Sequence, residues 1–497
     1  MTLYSGNRSR SLMNWHGTTW SLFLLLFLFV LIMPVCAEES TTDKESTEQK
    51  SENSSILLWP FSHIIQPALN VAIYPFAAPV RYALNNGLMD KSVDLVTFGK
   101  DRKIIVYPTM NLKPGSQTQL GFTYRHRSLI FDRDYFVHQM SLYANGDLYL
   151  SSRYSKQQLL GFPLVGSFRY KLYMDSDDNF IIPGTKEEFI QPDSSLHLEW
   201  RLGMPLTESH KLNLEFNIGQ KFIDASPPTS KKDSILIDDK YDIADRGLYQ
   251  SNIQFPFGMS IVYDDLDYAY APSRGSRFIL SGNYVHVHKY GGLDYSSIYS
   301  DIPGEIEKSH KNHDFISNAI VFQHYFYFGT AKEYILSATE TRQSRKFYTD
   351  FSLENALRVW HPENLMETLL ERRVLAVQFR MDNIWEMEKG GAPYNAFPRM
   401  NARYPLRGYG DAWAAYHLMG LSMEYRWPVD RYVDGVIFDE YGLHAPEINE
   451  WSFERYYNSW GFGIRVRMPN LYLFRVQVGF HGLHGINFIM TIAPEFK

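Results

Sequence analysis

Polar and apolar side chains alternate strictly along residues 419–427, and this alternation limits the folds open to the chain. One face of the segment carries Glu424 and Arg426, whereas the other is apolar throughout, with Met419, Leu421, Met423, Tyr425 and Trp427. A β-barrel in lipid needs such strands, with a polar face toward a wet interior and an apolar face toward lipid. A soluble β-sandwich also alternates, so the number of strands that repeat the pattern must decide between the two.

The same period of two recurs in four further segments, each with polar side chains opposite a row of aliphatic and aromatic ones. These segments are residues 196–204, 212–219, 375–382 and 472–480. Soluble sandwiches rarely combine so many charged faces with long apolar rows. The pattern therefore predicts an all-β fold, a transmembrane outer-membrane β-barrel, rather than a soluble β-protein.

Composition agrees with a barrel and excludes other classes. Aromatic residues make up 15% of the chain, with 34 Tyr and 33 Phe, as expected of rings that line two membrane interfaces. Charged residues reach 21% and the mean hydropathy is negative, which excludes a helical membrane protein. The net charge of −6, without a Lys/Arg cluster, argues against nucleic acid as a partner.

The first residues have the features of a secretory signal. Arg8 and Arg10 precede an apolar run at 22–33, and Val35 and Ala37 suit cleavage after Ala37, so residues 1–37 are predicted to be a signal peptide. The alternative is a lipoprotein signal lipidated at Cys36, which the large Val35 disfavours. Cleavage after Ala37 would remove the single cysteine of the chain, leaving strand pairing rather than disulfides to stabilise the barrel.

Two segments precede the predicted barrel at 102–497. Residues 38–55 are acidic and rich in Ser and Thr, and are predicted to be a disordered linker. Residues 56–101 are apolar but interrupted by prolines, which argues against a spanning helix. They are predicted to form short helices or turns at the periplasmic side, or a packed segment that closes the barrel.

The remaining chain divides into about sixteen antiparallel strands. They are predicted near 117–127, 134–154, 163–175, 193–204, 210–220, 249–263, 276–288, 313–328, 333–344, 347–358, 372–386, 415–428, 432–443, 456–468, 471–481 and 485–496. Asn145-Gly146-Asp147 is also typical of a hairpin turn, which would split the second strand. Short connections such as 205–209, 429–431 and 469–470 alternate with long loops such as 221–248 and 387–414. An even number of strands would place both chain ends on the periplasmic side.

The last hundred residues carry specific motifs, and with them the chain from about 101 to 497 resembles the bacterial surface antigen superfamily. These outer-membrane barrels include the barrel-assembly core protein and the two-partner-secretion transporters. The matching positions are Leu406, Arg407, Gly408 and Tyr409 of the lid-loop motif, Glu424 on the next strand, Phe438, Glu440 and Gly442 of a Phe-x-Asp-x-Gly signature, Pro272 and Gly275 of a Pro-x-x-Gly turn, and Phe496 near the C-terminal signal.

The resemblance also has departures. Glu440 replaces the aspartate of the signature, Asn401-Ala402-Arg403 stands where relatives have a Leu-Gly-Gly approach, and Asp439 would face lipid. Relatives that handle polypeptides carry periplasmic polypeptide-transport-associated domains, and residues 38–101 show no such pattern. The chain is thus similar to a short branch of the family that lacks these domains.

In relatives the lid loop folds back into the barrel lumen, and the residues here suit that arrangement. A guanidinium inside a barrel needs carboxylate partners, which Glu424 and Glu440 would supply from adjacent strands. Gly408 would permit a tight turn and Tyr409 would pack the tip. Without the resemblance, the alternative is that Arg407 is a solvated loop residue and that the glutamates line a wet lumen.

The sequence contains none of the common catalytic or cofactor motifs. Tyr284, His286 and His288 lie at strand spacing and could bind a metal, but two histidines do not define a site, so a surface strand end is the preferred interpretation. An outer-membrane phospholipase would need a Ser–His pair, which the sequence does not single out. We therefore expect neither an enzyme nor a resident metal or cofactor.

Three functions remain open. The resemblance implies a lid-gated pore, or a factor that translocates or inserts protein or lipid. The alternatives are a passive porin-like channel and a structural or adhesive barrel that acts through its outer loops. The expected partners are outer-membrane lipid, the barrel assembly machinery that inserts the chain, and a polypeptide or lipid client.

Overall fold

The structure, a computed structural model, describes most of the chain after residue 65. The described residues are 66–85, 97–99, 103–113, 116–132, 134–143, 146–181, 188–225, 251–267, 272–289, 312–327, 373–387, 391–400, 406–409, 413–430, 433–452, 456–468, 471–482 and 485–491. The compact unit considered below is Pro67–Lys497. The predicted segments 1–37 and 38–55, half of 56–101, and Phe496 lie outside the described residues.

One α-helix, two short 3-10 helices and nineteen strands are described. The helices are α1 (Gln66–Asn85) and the single turns Leu159–Gly161 and Tyr394–Ala396. The strands are β1 (Thr97–Phe98), β2 (Ile104–Lys113), β3 (Ser116–Arg127), β4 (Asp134–Tyr143), β5 (Leu148–Gln157), β6 (Val165–Ile181), β7 (Glu188–Pro205), β8 (Leu212–Ala225), β9 (Asn252–Asp264), β10 (Gly275–Lys289), β11 (Asn312–Tyr327), β12 (Val374–Glu386), β13 (Arg399–Met400), β14 (Trp413–Ala414), β15 (His417–Asp430), β16 (Val433–Ala445), β17 (Tyr457–Met468), β18 (Leu471–His481) and β19 (Gly485–Thr491).

Sixteen long strands, β2–β12 and β15–β19, each pair antiparallel with the next along the sheet. The last returns to the first through the short register Met490↔Leu112 and Thr491↔Asn111. The fold is therefore an all-β barrel of sixteen long strands, as the alternation predicts. No helix among the described residues is both long and apolar enough to cross a membrane.

The strand number agrees with the prediction, although the individual strands differ. The predicted strand 134–154 is a hairpin of β4 and β5, and the Tyr143 N–H donates to the Asp147 carbonyl at 2.9 Å where the two strands meet. Strand β2 was not predicted. The predicted strands 333–344 and 347–358 lie outside the described residues, and β11 pairs directly with β12, from Phe315↔Glu386 to Tyr327↔Val374.

The register assigns side chains to the two faces of the barrel wall, because directly opposed residues share a face. Glu424 of β15 lies opposite Phe438, and Ser422 lies opposite Glu440, so all four face the same side. The alternate positions carry exposed apolar side chains, among them Trp200, Ile218, Phe257 and Met259. A charged inner face and an apolar outer face are the arrangement that a bilayer requires.

Asp439 lies on the outer face, as the alternation predicts, and its carboxylate is hydrogen-bonded there. The Tyr441 hydroxyl donates to Oδ2 at 2.7 Å, and the Asn458 amide donates to Oδ1 at 2.8 Å. A carboxylate that faces lipid needs such donors, because an isolated charge is costly to bury.

Helix α1 differs from the expected short helices, since it continues for 20 residues through Pro75 and Pro79. The two prolines are four residues apart, so both missing N–H donors fall on the same, exposed side of the helix. The opposite side is buried, and its Asn70 accepts a hydrogen bond of 2.8 Å from the indole of Trp427. Trp427, expected to face lipid, lies on the outer face but is fully buried, with its indole bonded to α1.

Candidate functional site in the barrel lumen

The lid loop, residues 387–414, joins β12 to β15, and its motif Leu406–Tyr409 lies against the inner wall of the barrel. Leu406 is fully buried and packs with Met400, Ala415 and Leu418. The amide of Tyr409 donates to the Leu406 carbonyl at 3.0 Å, which closes a tight turn around Arg407 and Gly408. Apolar packing on one side of the turn and polar contacts on the other fix the motif.

Arg407 is only 6% exposed and is bound by two carboxylates. Its backbone N–H and its Nε donate to the two oxygens of Glu440 at 2.6 and 2.7 Å, and Nη1 donates to Glu424 Oε2 at 2.7 Å. The guanidinium carbon lies 3.6 Å from the centre of the Phe438 ring, which adds a cation–π contact. Burial by itself would lower the pKa of Arg407. The nearby carboxylates of Glu440 and Glu424 raise the pKa by more than burial lowers it, so the side chain stays charged.

Glu424 is fully buried and binds three guanidinium groups. Arg426 Nε donates to Oε1 at 2.6 Å, Arg465 Nη2 donates to the same oxygen, and Arg407 occupies Oε2. Removing one member of a buried ionic cluster leaves an uncompensated charge, which costs far more than the net stability of the intact cluster. The cluster therefore fixes the position of the lid motif more than it adds to overall stability.

Gly408 places the backbone of the motif directly on strands β17 to β19. Its N–H donates to the Ser459 hydroxyl at 2.5 Å, and its carbonyl accepts from His481 Nδ1 at 3.0 Å and Asn487 Nδ2 at 2.6 Å. A Cβ at this position would overlap the backbone of Phe480, so only glycine permits the approach. Tyr409 stacks on His481, with ring centres 4.9 Å apart.

Glycines in the strands that face the lid motif leave room for the motif to pack against the wall. A side chain at Gly479 would come within 2.8 Å of the Arg407 carbonyl, and one at Gly442 would overlap Met400 and approach Leu406. Phe438, beneath the guanidinium, in turn fills the space over Gly461. Close contact between loop and wall thus depends on small residues on both sides.

A second motif reaches the same cluster from the turn between β9 and β10. Arg426 Nη1 donates to the Pro272 carbonyl at 3.0 Å. Asp267 holds the turn by accepting from the Ser273 amide at 2.8 Å and from the Arg274 amide at 3.2 Å. Gly275 has a φ of +97°, a conformation that L side chains rarely adopt, which explains the glycine of Pro-x-x-Gly.

The lid loop also contacts the other side of the barrel. Gln254 of β9 donates to Asn395 Oδ1 at 2.7 Å, and Lys221 of β8 donates to the Asn395 carbonyl at 3.4 Å. Trp413 pairs in parallel with Ile181 at the end of β6. The loop therefore has tethers on both sides of the lumen.

Most residues singled out in the sequence meet in this one region. Direct contacts connect the lid motif Leu406–Tyr409 with Glu424, Phe438, Glu440 and Gly442. Pro272 is connected to them through Arg426. Sequence reasoning missed Arg465, Ser459, His481 and Asn487 as partners. Alternation places them on the inner face, but only the register brings them beneath Gly408 and Glu424.

The histidines of β10 lie elsewhere, near the end of their strand. His286 Nδ1 lies 2.6 Å from Asp314 Oδ1, on the strand next to it. Within the part of the chain that the structure describes, no three His, Cys, Asp or Glu residues are grouped as a metal site would require.

Comparisons with known proteins agree with this geometry. No curated protein matches the chain significantly. Among solved structures, BamA from Haemophilus ducreyi lacking POTRA domains 1–3 has a TM-score of 0.50 at 10% identity, covering 78% of this chain and 70% of that one. CdiB from Acinetobacter baumannii and CdiB from Escherichia coli each have a TM-score of 0.44, at 10% and 11% identity, covering 78% of this chain.

The chain spans 59% and 62% of the lengths of those two CdiB structures. The model of the Omp85 superfamily domain matches residues 192–486, more than half of the 497 residues, and this range contains the lid motif, Glu424 and Glu440. The chain belongs to the Omp85 superfamily of outer-membrane β-barrels.

Proposed function

We propose that this protein is a lid-gated outer-membrane pore of the translocation or insertion type, in which Arg407 holds the lid loop across the lumen. The observation that carries the proposal is the pair of hydrogen-bonded ion pairs that Arg407 makes with Glu440 and Glu424. The lid motif that contains Arg407 is almost completely buried. A passive porin needs no such internal clamp, and an adhesive barrel gains nothing from one. The clamp therefore favours the gated pore.

The client is a polypeptide or a lipid that passes through the barrel or is inserted beside it. The described residues ahead of β2, 66–85 and 97–99, form one helix and one two-residue strand. We further propose that other proteins in the same membrane or the periplasm capture the client. Enzymatic chemistry has no place in the proposal, since the Arg and Glu side chains of the lumen cluster are bound to one another.

Single-channel recording in planar bilayers tests the gate. Arg407→Ala should raise the mean conductance and the frequency of large openings, because the lid loses its charged anchor. Arg127→Ala is the matched control, since it removes the same side chain from an exposed strand end away from the lid. Equal conductance of wild type and Arg407→Ala would contradict gating and restore the passive channel as the better interpretation.

A further inference from the structure

The wall formed by β5–β10 carries a cationic excess although the whole chain has a net charge of −6. The register places six cationic side chains on the inner face of these strands among the described residues: Arg153, Arg169, Lys171, Arg201, Lys221 and Arg277. Three acidic side chains that the structure describes share that face: Glu199, Glu215 and Asp264. Among the described side chains of this wall, cations thus outnumber carboxylates by six to three.

Carboxylates on this wall neutralise part of the cationic charge, and the remaining cations lie close together. Arg153 lies directly opposite Arg169 on neighbouring strands, and like charges in that position repel each other. Glu199 is already bound by Arg201 at 2.7 Å and lies 3.9 Å from Arg169. Asp264 likewise lies 3.5 Å from Arg277.

The wall also encloses space for solutes. A cavity of about 430 Å³ lies against it, and its charged lining residues are three arginines, Arg153, Arg201 and Arg277, and two glutamates, Glu199 and Glu215. The lid motif Leu406–Tyr409 makes its described polar contacts with β15–β19 instead. The cavity therefore belongs to a part of the lumen away from the motif.

We propose that the β5–β10 wall is an anion-conducting lane through the pore, and this inference rests on the proposed pore function. A confined passage lined by an excess of one charge sign concentrates counter-ions and repels ions of the same sign. Arg and Lys side chains in pores select anions for this reason. Small anions such as chloride therefore cross the lumen more readily than potassium.

The test is the reversal potential in planar bilayers under a KCl gradient, recorded with the wild type and with Arg407→Ala. We expect the potential to shift from zero toward the chloride equilibrium value in both. The triple variant Arg153→Gln, Arg201→Gln, Arg277→Gln should move it back to zero or beyond. The corresponding triple lysine variant keeps the charge and should keep the shift.

A Lys211→Gln variant controls for the loss of charge elsewhere, because Lys211 lies in the exposed turn between β7 and β8 and should not alter the potential. Conductance with zero or cation-directed reversal potential in the wild type would overturn the anion lane but leave the pore intact. Failure of the folded Arg407→Ala barrel to conduct would instead overturn the proposed pore function, and the lane with it.

Discussion

Arg426 of β15 donates a hydrogen bond of 3.0 Å from its guanidinium to the backbone carbonyl of Pro272, 154 residues earlier in the chain. The same guanidinium binds Glu424, which binds Arg407 of the lid. One continuous series of charged contacts thus joins the lid loop to the turn between β9 and β10.

This series predicts coupling between the turn and the lid. In Arg426→Met, backbone amide hydrogen exchange should accelerate at Ser273 and Arg274, because the turn loses its contact to the cluster, and also within 406–409, because Glu424, which holds Arg407, loses a cationic partner. Mass spectrometry of the barrel in detergent measures both regions. Arg380→Met, which removes an arginine bound to Asp382 on β12, is the control. Exchange that rises in the turn alone would contradict the coupling.

Breaking the clamp from one side should lower stability measurably, even though the intact cluster adds little net stability. Arg407→Ala leaves two buried carboxylates with one partner fewer, and we expect the free energy of unfolding to fall by about 3–5 kcal/mol. Arg407→Lys should restore little, since an ammonium cannot make the forked contact to two glutamates. Heat-modifiable migration on gels and urea titration in detergent report the loss. A lysine variant as stable as the wild type would show that charge alone suffices.

Because the lid motif lies so close to the barrel wall, adding one methyl group at the contact should lower the stability of the barrel. Gly479→Ala places its Cβ within 2.8 Å of the Arg407 carbonyl, so the lid must shift, with an expected destabilisation of about 1–3 kcal/mol. Gly203→Ala is the matched control, because the nearest atoms to its Cβ lie at 3.7 Å. Thermal midpoints of the two variants should differ clearly, and equal midpoints would refute the tight fit.

The second tether of the lid predicts additive gating. Gln254→Ala removes the bond to Asn395 and should increase channel opening modestly in single-channel recordings. Combined with Arg407→Ala it should open the pore further than either change alone, because the two tethers lie on different walls. Asn217→Ala, which removes a lumen amide bonded to Asn283 of the wall, should leave opening unchanged. A double variant that conducts like Arg407→Ala would exclude the second tether.

The acidic segment 38–54 should be dispensable for folding. Its composition supplies no apolar surface to bury, so limited proteolysis should remove it while the barrel keeps its heat-modifiable migration. A deletion variant that fails to assemble in the outer membrane would contradict this expectation.

Alternation alone was sufficient to predict the barrel. Period-two rows such as Met419 to Trp427 identify strands and their faces, because a one-residue shift would turn a charged face toward lipid. The same local rule placed Glu424, Glu440 and Asp439 on the faces where the structure has them. Local patterns are less decisive at 134–154, where they fit either one strand or the hairpin of β4 and β5. They also fail to predict that α1 continues through Pro75 and Pro79.

The partners of each inward side chain were decided only by tertiary structure. The motif from Leu406 to Tyr409 pointed to an internal loop, but nothing local specifies that Gly408 rests on Ser459 and Asn487, or that Arg465 joins Glu424. Those contacts depend on the relative register of strands far apart in sequence, which is a property of the assembled sheet. The charge of the β5–β10 wall has the same origin, since six cations spread over five strands share one face only after the sheet has formed.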